Sequence, residues 1–116
     1  MDNPNIVNVT AIYGTTSVQA VTTTPTAIVA NAGGSGTVIK VDSLIVSNND
    51  TAIRTVTIDV YRSATAYSIS TAVNIPINSM YDVLSKFIYL NEGDSLRLTA
   101  GTNATLTAVC SYEVIS

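Results

Sequence analysis

Seven carboxylates are scattered through the body of this chain: Asp42, Asp50, Asp59, Asp82, Glu92, Asp94 and Glu113. Acid–base catalysis needs two such groups in one cleft with pKa values driven apart. No motif brings any two of these together. Glu92 and Asp94 sit in Asn91-Glu92-Gly93-Asp94, where an Asp side chain accepts nearby backbone N–H groups and holds a tight turn. Calcium is the other chemistry open to such oxygens, but a calcium loop is far denser in them. Serine and threonine are plentiful, yet the chain has no histidine to activate one. A Ser-Lys pair remains formally open at Ser85-Lys86 or at Ser43 with Lys40. Adjacent strand residues point to opposite faces, which separates Ser85 from Lys86. One cysteine and no imidazole cannot make a zinc site. Cys110, in the apolar run TLTAVCSY, reads as a small buried hydrophobe. An intermolecular disulfide or a reactive thiol is the alternative. The expectation is a protein that is not an enzyme and takes no cofactor or metal.

Binding chemistry has more material. The six tyrosines suit places where one end of a ring is dry and the other wet, as at interfaces and sugar sites. Most fit half-buried sandwich positions, and the absence of tryptophan weakens a carbohydrate platform. The five bases, Lys40, Arg54, Arg62, Lys86 and Arg97, never cluster, and the net charge is −3. Nucleic-acid binding needs a basic patch that replaces condensed counterions, so it is not expected. Charged residues are 11% of the chain against 47% hydrophobic, where about 25% charged is ordinary. The polar surface is therefore mostly Thr, Ser and Asn. Such a surface loses little side-chain entropy when another protein covers it.

These residues must be carried by strands. A chain of 116 residues fits one domain with a real core. Period-2 alternation and Gly/Asn/Asp turns recur throughout, and no amphipathic helix template fits. The reading is all-β: a single two-sheet antiparallel β-sandwich of about 8 strands, Greek-key or jelly-roll-like, over residues 6–116. Residues 1–5 read as a flexible N-terminal arm. Expected strands are Ile6–Tyr13 at an edge, Val18–Val21 after a turn at Gly14-Thr15-Thr16, and Ala27–Ala30. Val38–Asn48 follows, with a bulge near Asp42-Ser43 where its apolar phase shifts. In Arg54–Tyr61, the residues Val56, Ile58 and Val60 face the core, while Thr55, Thr57, Asp59 and Tyr61 face outward. Tyr67, Ile69, Thr71, Val73 and Ile75 share a strand face. Met80–Leu84 and Phe87–Leu90 are strands broken near Ser85-Lys86. Leu96, Leu98 and Ala100 enter the core, and a long final strand follows. Gly33, Gly34 and Gly36 make a hairpin-like loop; a phosphate cradle would need a following helix, and a strand follows instead. MDNPNIVNVT lacks the basic and apolar regions of a secretory signal. No run approaches the roughly 18 apolar residues of a membrane span.

Three stretches carry a resemblance: VIKVDSLIVSNNDTAIRTVTIDVYRSATAYSI, INSMYDVLSKFIYLNEGDSLRLTA and LTAVCSYEVIS. They resemble small virion proteins of tailed bacteriophages, many of them marine. Leu84, Ile88, Tyr89, Leu90, Gly93, Asp94 and Leu96 match a passage of that group, with Phe87 where proline is common. Ser111, Tyr112, Glu113, Ile115 and Ser116 match its closing residues. The resemblance covers residues 38–116 and implies a virion structural part made in the host cytoplasm without a leader. Head decoration (cement) is the first expectation, with the major capsid protein or other virion proteins as partners. A homo-oligomer, or many copies on a symmetric particle, goes with it. A tail, neck or baseplate component is the second expectation, and a carbohydrate-binding module the third. Contact candidates are Asp2, Asn3 and Pro4 in the arm, Gly33 and Gly34, Arg62 and Tyr67, and Ile77, because loops on a rigid sandwich commonly carry binding.

Overall fold

The computed structural model describes residues 11–103 and 105–116, and among them every regular element is a β-strand. The strands are β1 (Ile12–Val21), β2 (Thr26–Ala30), β3 (Val38–Asn48), β4 (Arg54–Arg62) and β5 (Thr65–Ile75). Then come β6 (Ser79–Asp82), β7 (Ile88–Leu90), β8 (Ser95–Ala100) and β9 (Leu106–Ile115). One sheet runs β1-β9-β3-β6, with β7 also on β3; the other runs β2-β8-β4-β5. Every ladder is antiparallel.

The ladders pair the chain from its ends inward. β1 lies on β9, β2 on β8, β3 on both β6 and β7, and β4 on β5. The innermost turn, between β4 and β5, is made by Ser63 and Ala64, both at positive φ. A long hairpin folded this way and rolled so that β9 joins β3 and β8 joins β4 is a jelly roll. Its eight positions are filled by nine segments because one position is split. β6 pairs with Ile45–Asn48 and β7 with Ile39–Val41. Between those stretches β3 carries the expected bulge, at Val41/Ser43. A bulge bends its strand and shifts the register, so a single straight partner cannot follow both halves. The chain leaves β6 through Val83, whose N–H donates to the Leu44 carbonyl at 3.0 Å, and Leu84 drops into the core.

Core faces follow the alternation. Val41, Leu44, Val46, Val56, Ile58, Leu90, Leu96, Ala108 and Cys110 are fully buried, and Leu98 and Leu106 nearly so. Each large aliphatic among them contributes about 1.5–3 kcal/mol of transfer free energy. Val60 is only half-buried, because it lies where the two sheets part. Two buried asparagines fasten opposite ends. Asn48 donates from Nδ2 to the Ala52 and Ile75 carbonyls, both at 2.9 Å, and accepts the Asp50 N–H at 2.9 Å. Asn31 donates to the Thr37 and Leu90 carbonyls, both at 3.0 Å, and accepts from the Ser35 and Thr37 hydroxyls. Each amide is thus satisfied without water, as burial requires.

Three expectations change. The expected turn at Gly14-Thr15-Thr16 does not form, because β1 is an unbroken ten-residue ladder on β9. The continuous face expected from Tyr67 to Ile75 is broken by register shifts, with Ala72 at φ 51°. Val73 and Ile75 point inward, but Ile69 and Thr71 are exposed. Asp59 faces outward as expected yet is shielded from water. Arg97 reaches it at 2.8 Å and stacks on Tyr61 at 4.1 Å. The expected arm, residues 1–5, and the expected start of the first strand at Ile6 lie outside the described residues.

Candidate interaction surface

The sandwich has two flanks. On one, β1 lies against β2; on the other, β5 lies against β6. Each flank presents one long edge strand. β1 has the sequence IYGTTSVQAV and β5 the sequence TAYSISTAVNI, neither with a charge or a proline. Among the described residues β1 pairs only with β9 and β5 only with β4. Their outer N–H and C=O groups form a row that another strand can pair with. Exposed apolar side chains accompany both edges: Tyr13 (65% exposed) and Val18 (66%) on β1, Tyr67 (58%) and Ile69 (42%) on β5.

On the β5 flank the core is open. A cleft of about 390 Å³ lies between the sheets, lined by Val60, Arg62, Tyr67, Ile69, Ile88 and Tyr89. The cross-strand register explains its floor. Tyr67 pairs with Val60 and Ile88 with Val41, so each pair lies on the inner side of its sheet; Val41 is fully buried, while Tyr67 is 58% exposed at the open flank. Phe87 and Tyr89 flank the opening with their rings edge to face, 5.6 Å between centroids, and Lys40 lies 4.6 Å from the Phe87 ring centroid.

Arg62 forms the end of the cleft. Its Nε donates to Asp94 Oδ1 at 2.7 Å and Nη2 to Oδ2, and the Asn91 N–H also donates to Oδ2, at 2.8 Å. The guanidinium holds the Asp94 carboxyl below the usual carboxylate range, against the opposing effect of burial. The same pairing raises the Arg62 pKa. Asp94 is thus the turn residue expected, and also the buried half of an ion pair that nothing in its sequence neighbourhood signals.

The contact candidates divide. Arg62 and Tyr67 come together in the cleft. Gly33 and Gly34 sit at the same end, since the Gly34 N–H donates to Glu92 Oε2 at 3.0 Å beside Asp94. Gly34 takes φ 75°, a conformation glycine adopts without strain. Ile77 is exposed at the opposite end, beyond the Arg54–Ile75 pair. Asp2, Asn3 and Pro4 lie outside the described residues. Sequence reasoning did not single out Val60, Ile69, Ile88 and Tyr89 as one surface; only the register between sheets assembles them.

A second cleft of about 330 Å³ is lined by Ala20, Asn49, Asp50, Thr105, Leu106 and Thr107. Its carboxylate is engaged: Asp50 accepts from Arg54 Nε at 2.6 Å and from the Thr51 N–H at 2.7 Å. The Thr51 N–H and then Arg54 keep that carboxyl below its ordinary value. Among the described residues no three acidic or thiol groups lie close enough to hold a metal ion. Among the described residues no helix is long and apolar enough to cross a membrane.

No protein-family model matches the chain. No curated protein matches it either. A solved structure shares its fold. A protein of the Bacillus endospore appendages, described as a novel family of disulfide-linked pili, superposes with a TM-score of 0.57 at 14% identity. The match covers 99% of this chain and 95% of that one. A pentameric capsid protein from metagenomic phage sequences, solved twice, overlaps more loosely. Its TM-score is 0.45 at 19% identity, over 84% of this chain and 59% or 60% of that chain. At 14% identity the likeness to the appendage protein is one of fold alone: an all-β, two-sheet antiparallel sandwich of jelly-roll type.

Proposed function

We propose that this chain is a non-enzymatic structural protein of a virion, a head-decoration protein that binds the assembled shell in many copies. The observation that carries the reading is the pair of long, uncharged, proline-free edge strands, β1 and β5, with exposed Tyr13, Val18, Tyr67 and Ile69. Free monomers guard such edges with charges or prolines, so unguarded ones suit a molecule whose flanks are covered by neighbours. The phage-like sequence of residues 38–116 supports a virion setting. Decoration then works by mass action: a protein that binds the assembled lattice and not its free subunits stabilises the lattice.

The related appendage fold belongs to pili described as disulfide-linked. That linkage is closed to this chain, whose sole cysteine, Cys110, is buried inside β9. Assembly here is noncovalent, through strand edges and apolar contacts.

Copy number tests the reading. Stained protein bands of purified particles should give hundreds of copies per particle. A few to a few dozen would move the protein to the tail or neck. Titratable glycan binding without particle incorporation would overturn the virion role in favour of a sugar-binding module.

A further inference from the structure

Two independent features meet on the β5 flank. β5 offers an unpaired edge among the described residues. Directly inside it lies the apolar cleft of Val60, Tyr67, Ile69 and Ile88. A strand added to β5 would satisfy its backbone groups and put every second side chain into that cleft. Both parts of strand-addition recognition, backbone hydrogen bonds and side-chain pockets, are therefore present in one place.

We propose that the occupant is the N-terminal segment of a second copy, residues 1–10, with Val7 and Val9 entering the cleft. Three observations select it. Ile6-Val7-Asn8-Val9-Thr10 contains no glycine, proline or charge; it is strand-forming sequence whose alternate positions put Val7 and Val9 on one side. Ala11 is still in the ladder, exchanging N–H···O=C bonds with Ser116 at 3.1 and 2.9 Å. Residues 1–10 therefore join the fold at the very end of the β1–β9 ladder. Finally, β1 and β5 belong to opposite flanks. Reaching its own cleft would take the segment from one flank of the sandwich to the other. A neighbour set side by side presents its β1 flank to this cleft directly. Ten extended residues span up to about 33 Å. The contact is heterologous, so it propagates around a ring or along a row. It deepens the assembly role proposed above and rests on it.

Full-length Val9→Cys and Ile69→Cys variants, one carrying an affinity tag, should be mixed under mild oxidation. Buried Cys110 stays out of the reaction. A mixed disulfide dimer is expected, and excess peptide of residues 1–10 should suppress it at least tenfold. Val9→Cys mixed with Val18→Cys, on the other flank, should give no comparable product. Ile69→Lys should weaken self-association at least tenfold while leaving the folded spectrum unchanged. In a chain carrying both Val9→Cys and Ile69→Cys, an intramolecular disulfide that forms independently of dilution would overturn the proposal, showing that each chain fills its own cleft. Absence of a mixed dimer up to millimolar concentration would overturn it as well. These readouts use purified protein, so they fail or succeed separately from the particle copy number.

Discussion

Arg62 closes β4 by clamping the Asp94 carboxylate, which is 2% exposed in the β7–β8 turn of the chain. The clamp joins a half-exposed cation to a buried anion across the mouth of the cleft. Its two partners do not have equal value. Arg62→Ala leaves a carboxylate buried with only its backbone donor and should cost about 2–4 kcal/mol, less than a deeply buried pair because water reaches the site. Asp94→Asn removes the charge but keeps an acceptor for the Asn91 N–H, and should cost about 1–3 kcal/mol. The folded carboxyl titrates below its unfolded value, so its stabilisation is complete above about pH 4 and fades as pH falls through the depressed folded pKa. Denaturant melts of wild type and Asp94→Asn should therefore differ at pH 7 and converge in strong acid. A gap that stays constant with pH would show that the charge contributes nothing.

Adjacent residues of β4 provide a test of the core register. Ile58 is fully buried, whereas Thr57 faces outward. Ile58→Ala should cost about 2–5 kcal/mol from lost burial and a residual cavity. Thr57 has a task of its own: its hydroxyl accepts the Ala72 N–H at 3.0 Å, at the bulge where Ala72 takes φ 51°. Thr57→Ala should cost about 1 kcal/mol, above an ordinary surface change and well below Ile58→Ala. Equal losses at both positions would contradict this register.

Much of this architecture is legible in alternation alone. The Val38–Asn48 strand, its bulge, the Arg54 strand and the Leu96–Ala100 core face all follow from which residues are apolar at period two. Gly14 misleads because a glycine followed by two threonines has turn chemistry, while a ten-residue ladder on β9 outweighs it. Asn31 and Asn48 read as turn residues, but their burial depends on carbonyls 59 and 27 positions away, those of Leu90 and Ile75. The cleft is invisible for the same reason. Val60, Tyr67 and Ile88 are ordinary strand residues until sheet packing leaves one flank open.

Gly93 has a turn role that its sequence context does announce. It holds φ 86° and donates its N–H to the Asn31 carbonyl at 2.8 Å. No other atom crowds a side chain there, so any penalty comes from the backbone alone. Gly93→Val should destabilise the fold by about 1–3 kcal/mol, since β-branched residues resist this region. Gly93→Asn should cost much less, because asparagine tolerates left-handed geometry. Thermal melts that ranked the two equally would point to a steric cause instead.

Cys110 decides between covalent and noncovalent assembly. Burial, reinforced by the negative charge of Asp42, pushes its thiol up to about 11. At pH 8 only about one thiol in a thousand is then ionised, and the thiolate is the reactive form. Disulfide reagents should leave the folded protein unmodified over hours and react at once in denaturant. The folded thiol ionises later than the unfolded one, so stability should also decline as pH climbs from the unfolded thiol value toward 11. Cys110→Ala should then assemble as wild type does after allowance for a small core cavity. Particles run without reductant should release the protein as a monomer band. A disulfide dimer in that lane would mean that β9 opens during assembly, and the noncovalent reading would fall.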